Sequence, residues 1–286
     1  VDLKFVYFMV QNLKFDVRTH KRYYLSQYSK LKIPIPYKDD KPDLQTQKRI
    51  VEKLELAEKL KENRKKAGEL TKEYLNSVFL DMFGGYISSN YNQMIFSNLV
   101  ESYNIGLIRG AKEQDPLFTY NYFKMEDINF DGSISIKNNI KVEASKEEVD
   151  KYKLDYLDFL FNTRNTKELV GKTAVFRERD FFLFNNNILR IKFNKFVNSD
   201  YMNFLFHTQK VKNELKKITR GTTSVFAIYY SNLSTLKIPT PPINLQNEFA
   251  QIVEEVEKLK EYQKKSSEEI DNLFNKLMQQ AFRGEL

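Results

Sequence analysis

The 286-residue chain has no cysteine, two histidines and no apolar run near the roughly 20 residues of a membrane span. Without cysteine there is no disulfide framework, no thiolate metal site and no cysteine nucleophile. His20 and His207 fall into no metal-ligand spacing, so both are expected in structural or surface roles. The N-terminus shows no signal-peptide pattern. It opens on Val1 rather than Met, inside what reads as a helix, and is expected to be a fragment.

Catalytic sets are missing too. Glu126-Asp127 and the pair Asp155/Asp158 lack the partners that a metal or acid–base site needs. Val170-Gly171-Lys172-Thr173 ends like a phosphate loop, but Thr166 stands where that loop requires its first glycine. There is no Asn-Pro-Pro-aromatic or Asp-Pro-Pro-aromatic string and no helicase or nuclease set. No enzyme activity and no cofactor are expected.

What is present is a duplication. Leu31-Lys32-Ile33-Pro34-Ile35-Pro36 returns as Leu236-Lys237-Ile238-Pro239-Thr240-Pro241, and each copy runs into a long charged segment. From Gln47 and Gln246 onward the copies align without a gap at an offset of 199, with Glu58–Glu62 identical to Glu257–Glu261 and Lys65-Lys66 to Lys264-Lys265. The period is far longer than a solenoid repeat. It describes a repeated unit: a globular body, a proline-punctuated exit and a helix.

The first helix is expected from about Leu44 to Met82, with Leu56, Leu60, Asn63, Ala67, Leu70 and Tyr74 as a coiled-coil seam. The second carries Ile252, Val256, Leu259, Tyr262, Ser266, Ile270, Leu273 and Leu277 at the same spacings of three and four. Gly84-Gly85 and Arg283-Gly284 are expected to end the rods. Each seam is narrow and polar at its middle, so each rod should need the other, packed antiparallel. Residues 1–15 read as the last amphipathic helix of a body, with Asn198–Ile218 as its counterpart. Between the rods, residues 86–230 read as mixed α and β, with strands near 120–128, 133–142, 159–162, 173–177 and 188–193, a turn at 130–133 and a short helix at 146–152.

The net charge is +8, and its placement is informative. The helical regions 31–85 and 231–286 carry +2 and −2, whereas 190–220 carries +6 and 1–30 carries +4. Basic charge therefore sits at matching places beside the bodies, which suits an anionic partner such as nucleic acid. Just past a strand, Thr163, Arg164 and Asn165 combine a long cation with amide and hydroxyl groups, and Lys172 comes soon after them. Arg and Asn can bridge guanine and adenine edges respectively; a strand-end turn satisfied by its own side chains is the other reading. Asn185-Asn186-Asn187 reads as a turn. Lys216, Lys217, Arg220, Gly221, Thr222 and Thr223 close the basic segment, and Arg18 and Lys21 occupy the equivalent loop of the first copy.

In this order, Leu157–Asn165, Leu169–Val175, the two Ile-Pro-x-Pro exits and the C-terminal Ala281-Phe282-Arg283-Gly284-Glu285-Leu286 make the chain resemble the specificity subunits of type I restriction–modification systems. The resemblance implies an α+β protein: target recognition domains joined by two long antiparallel coiled-coil helices, each domain reading one half of a bipartite target in double-stranded DNA. On that pattern 1–30 is the end of a first recognition domain, 31–85 the central helix region, 86–230 a complete recognition domain and 231–286 the C-terminal helix region. It also implies DNA adenine methyltransferase subunits and motor-nuclease restriction subunits as partners, while the absence of cysteine agrees with a cytoplasmic location. With one complete domain, the chain is expected to read one half-site unless it pairs with a second copy of itself. The alternatives are the specificity module of a type IIB or IIG enzyme and a coiled-coil adaptor without DNA.

Overall fold

The computed structural model describes residues 1–11, 32–89, 92–137, 139–221 and 224–283, apart from the side chain of residue 282. The chain divides into two units, residues 1–74 with 256–286, and residues 75–255. Helix α2 (Leu44–Ser88) and the last helix, α7 (Ile243–Arg283), each contribute to both.

In the first unit, Asp2 caps helix α1 (Leu3–Gln11) by accepting the amides of Lys4 and Phe5 at 2.9 and 3.0 Å. The Asp2 amide itself donates to Oε1 of the fully buried Gln47 at 2.8 Å. Asp43 caps α2, accepting the amides of Gln45 and Thr46; the bonds from Thr46 hold its carboxyl below the usual carboxylate range. Phe5, Phe8 and Met9 pack against Ile50, Val51 and Leu54 near the start of α2 and against Met278 and Ala281 near the end of α7. Early residues of one long helix meet late residues of the other, so the pair is antiparallel.

The second unit repeats this joint. Asn198 caps helix α4 (Ser199–Phe206), and its amide donates to Oε1 of the fully buried Gln246 at 2.9 Å. Tyr201 and Phe204 on α4 meet Phe249 near the start of α7 and Phe79 on α2, with ring centroids 4.9–5.9 Å apart. Phe83 adds its edge to Tyr201 and Phe249. Burial pushes the Tyr201 phenol well above its ordinary pKa, and its hydroxyl donates to the Pro239 carbonyl. The expected helix over 198–218 is two helices. Helix α4 ends at Phe206, and Thr208 caps α5 (Gln209–Ile218) by accepting the Val211 amide.

Two other expectations are corrected. Helix α2 continues through Gly84-Gly85 to Ser88. Along α2, and in α7 at Leu259, Tyr262 and Leu273, the contact line is displaced by one residue from the expected seam, while Ser266 and Leu277 of α7 remain in contact. Ala57, Thr71 and Leu75 are buried, whereas Leu56, Leu60 (41% exposed), Leu70 (63%) and Tyr74 face outward, as do Leu259, Tyr262 (70%) and Leu273. Val256 of the expected seam is buried. The reason lies in the middle of the helix pair, where cross-helix contacts are polar: Lys61 to Asp271, Arg64 to Ser266 and Gln263 to Thr71. In antiparallel helices, positions one residue before the contact line lie on the same side of both. The outward leucines and tyrosines thus form one apolar face.

The body contains a four-stranded antiparallel sheet in the order β4 (Val100–Ile105), β11 (Ile188–Phe193), β7 (Phe159–Asn162), β9 (Thr173–Val175). A second sheet runs β10 (Phe182–Phe184), β5 (Tyr120–Phe123), β6 (Lys141–Val142), with β10 parallel to β5. Helix α3 (Lys146–Tyr152) has the predicted bounds and a Ser145–Glu148 capping box. Phe123, Leu160, Ala174, Phe176, Phe182, Phe184 and Ile188 form the core. Asn185–Asn187 is the turn between β10 and β11, and Gly106 passes so close to the Phe184 and Asn185 carbonyls that a Cβ there would lie 2.3 Å from each oxygen.

Phe249→Ala should cost about 3–5 kcal/mol of unfolding free energy, because it empties the centre of an aromatic cluster. Leu60→Asp should change it by less than about 0.5 kcal/mol. Urea denaturation measures both, and a large loss for Leu60→Asp would restore the expected seam.

Candidate nucleic-acid interface

Strand β7 ends at the fully buried Asn162, whose side chain shapes the turn after it. Its Nδ2 donates to the carbonyls of Arg164 and Asn187 at 3.2 and 3.0 Å, and its Oδ1 accepts from Asn165 Nδ2 at 3.0 Å. Thr163 donates both its amide and its hydroxyl to the Asn187 carbonyl. These bonds turn the chain into a two-residue strand, β8 (Arg164–Asn165), which pairs antiparallel with β13 (Phe226–Ala227), and β13 pairs with β12 (Arg220–Gly221).

The register sets Arg164, Ala227 and Arg220 in one row, and Asn165, Phe226 and Gly221 in the next. Residues directly opposite share a face, and alternate strands lie roughly 10 Å apart. The two exposed arginines therefore flank Ala227 on one face of this small sheet. Arg164 has no side-chain partner among the described residues. Arg220 donates to the carbonyls of Lys217 and Thr219 at the end of α5, leaving its other guanidinium donors outward. Lys216 and Lys217 are exposed on the last turn of α5, with Lys217 paired to Glu214 at 2.7 Å. Lys167 sits 6.0 Å from the centre of the Phe226 ring. Nothing in its sequence context marked Lys167, because the pairing of β13 with β8 is what brings the ring beside it.

Other candidates are placed differently. Asn165 spends its amide on Asn162, the bond expected of a self-satisfied turn. Lys172 points inward and donates to the carbonyls of Met125 and Ile128. Burial pulls its pKa below the ordinary lysine value. It borders a cavity of about 290 Å³ lined also by Met125, Ile128, Phe130, Lys137 and Asn165. At Gly221, in the segment that closes the basic stretch, the space a Cβ would need is filled by Phe226 and the Val225 carbonyl, 2.6 Å away. Thr222, Thr223, Arg18 and Lys21 lie outside the described residues, as does His20. His207 Nδ1 lies 2.7 Å from the Asn203 carbonyl oxygen, a structural contact. Among the described residues there is no cluster of His, Asp and Glu suited to a metal, and no helix long and apolar enough to cross a membrane.

Two exposed arginines thus share one row at the edge of an α+β body. Residues 102–272, more than half of the chain, match the family described as the type I restriction modification DNA specificity domain. The chain belongs to that family. It is 28% identical over 178 residues to a protein of Methanocaldococcus jannaschii named as the type I restriction enzyme MjaX specificity subunit. That match spans 61% of this chain and 41% of the relative, so well under two thirds of the relative's length is represented. The fold is shared with a type I restriction–modification S subunit from M. genitalium, at 12% identity and a TM-score of 0.57 over 99% of this chain and 73% of that one. The HsdS subunit from Thermoanaerobacter tengcongensis also aligns, at 18% identity and a TM-score of 0.45 over 99% and 70% of the two chains.

Proposed function

We propose that this chain is a non-catalytic, cytoplasmic DNA-specificity subunit. Residues 86–230 act as a target recognition domain that reads half of a bipartite site in double-stranded DNA. The observation that carries the reading is the row Arg164–Ala227–Arg220 on a body of the specificity family. Arg164, exposed at a strand end, is the base-reading candidate; with Thr163 it projects from a frame fixed by Asn162. Lys216, Lys217 and Arg220 supply phosphate contacts that set position without reading sequence, and Thr222, Thr223, Arg18 and Lys21 belong to the same proposal by sequence. Asn165 and Lys172 hold the surface in shape.

In the proposed complex the helix pair binds DNA adenine methyltransferase subunits, with motor-nuclease subunits joining the full assembly. Support comes from the apolar face of Leu56, Leu60, Leu70, Tyr74, Leu259, Tyr262 and Leu273, since large exposed apolar patches mark interaction surfaces.

Arg164→Ala should weaken specific DNA binding by about 1–3 kcal/mol and relax preference at one base pair. Neutralising Lys216, Lys217 and Arg220 should weaken all sequences alike and flatten the salt dependence, by about 0.9 in log–log slope for each phosphate no longer neutralised. Binding selection over a randomised duplex at several salt concentrations reads both; unchanged preference and slope in folded variants would remove this surface from the interface.

Leu70→Asp with Tyr262→Asp should leave the melting temperature and DNA binding of the isolated chain nearly unchanged. Co-purification with the methyltransferase should fall at least tenfold, about 1.4 kcal/mol. Retained co-purification would place the partner elsewhere.

A further inference from the structure

The side of the helix pair opposite the apolar face is a polar groove of about 710 Å³, lined by Lys61, Glu62, Arg64, Lys65, Lys260 and Lys264 together with Gly68, Gln263, Ser267 and Asp271. Five cations face two carboxylates there. Coiled-coil contact positions are ordinarily apolar, yet here they are occupied by Lys61, Arg64 and Gly68 on one helix and Lys260, Gln263 and Ser267 on the other.

The charges are only partly balanced within the helices. Lys61 reaches Asp271 at 2.8 Å, and Lys260 turns to Glu257 on its own helix at 2.8 Å. Lys65 and Lys264 have no charge partner among the described residues. Arg64 donates through Nη2 to Ser266 at 2.9 Å, but its Nε–H is shielded from solvent without a hydrogen-bond partner. A buried donor left unmade on a charged group is costly, and such groups call for an acceptor. Gly68, which lines the same groove, is open: nothing lies within 4 Å of where its Cβ would be.

The lining residues are also duplicates of each other at the offset of 199: Lys61 with Lys260, Arg64 with Gln263, Lys65 with Lys264 and Gly68 with Ser267. The groove is therefore a pseudo-twofold arrangement of donors around a central opening. A ligand that matches it is small, carries several negative charges and presents like oxygens at both ends.

We propose that this groove is a binding site for a small oligophosphate anion, with Arg64 and the four lysines as its donors. The occupied site neutralises like charges that the helix contact otherwise holds together. Lysine supplies point charges and arginine a planar fork, the pairing suited to phosphate oxygens.

The test is thermal unfolding of the full chain in inorganic diphosphate against sodium chloride at equal ionic strength. A ligand that binds only the folded form raises the melting temperature, by about 3 °C or more once well above its dissociation constant. The rise should vanish in Arg64→Gln, which removes the unpaired donor. It should also vanish in Gly68→Leu, which fills the opening while keeping every charge and favours the helix. Lys53→Gln, outside the groove, should retain it. No rise beyond chloride in the unaltered chain, or an equal rise in Gly68→Leu, overturns the proposal. A short DNA duplex at the same phosphate concentration should stabilise the chain and Arg64→Gln equally, through the recognition body. Loss of the duplex effect in Arg64→Gln would assign the groove to the DNA backbone instead and overturn the small-anion site.

Discussion

The antiparallel pairing of two helices that are copies of one another is the constraint on which the rest of the chain depends. Each long helix begins in one unit and ends in the other, so each unit is built from the start of one copy and the finish of the other. The joint is made the same way twice. A fully buried glutamine, Gln47 or Gln246, accepts the amide of the residue that caps the packed helix, Asp2 or Asn198. Large apolar side chains then close over it. This bond fixes where the packed helix starts relative to the rod; Gln246 also donates its Nε2 to the Phe196 and Pro241 carbonyls, whereas Gln47 Nε2 is buried without a partner among the described residues. Where the first unit uses Ile50 and Met278, the second uses Phe249 and Phe79, one design with two fillings.

Most of this organisation was legible in the residues. The duplication, the antiparallel helices, the mixed body and the short helix at 146–152 follow from the repeat, the residue periodicity and the prolines. The seam was legible only at Val256, Ser266 and Leu277, because most of the leucine spacing marks the outer face of the helix pair rather than its contact line. The contact positions between Ala57 and Leu75 are instead Lys61, Arg64, Gly68 and Thr71, and no hydrophobicity pattern selects those. Gly84-Gly85 failed as a stop because helical backbone tolerates glycine when neighbours such as Phe83 and Ile87 are buried. The break at His207 was hidden by apolar residues on both sides.

The candidate surface was legible in part. Composition placed positive charge beside the body, and Arg164 stood out as a long cation at a strand end. Nothing local could show that Arg220 shares its row, because that row exists only through β13 pairing with both neighbours. Nor could sequence separate Arg164, which faces out, from Lys172, whose ammonium is drawn in by two carbonyls. Two cations on one short stretch of chain are placed oppositely, Arg164 exposed and Lys172 bound into the fold. Division of labour extends to the helices, whose two sides differ: leucines and tyrosines on one, cations around an open glycine on the other.

Hydrogen–deuterium exchange on the full chain, with and without excess mixed-sequence duplex at low salt, tests the central claim most directly. Binding through the recognition body predicts slowed exchange in peptides covering 163–168 and 216–227, with the apolar flank of the helix pair around 56–60 and 270–274 unchanged. Slowed exchange confined to the helix pair, with the 163–168 and 216–227 peptides unaffected, would contradict it.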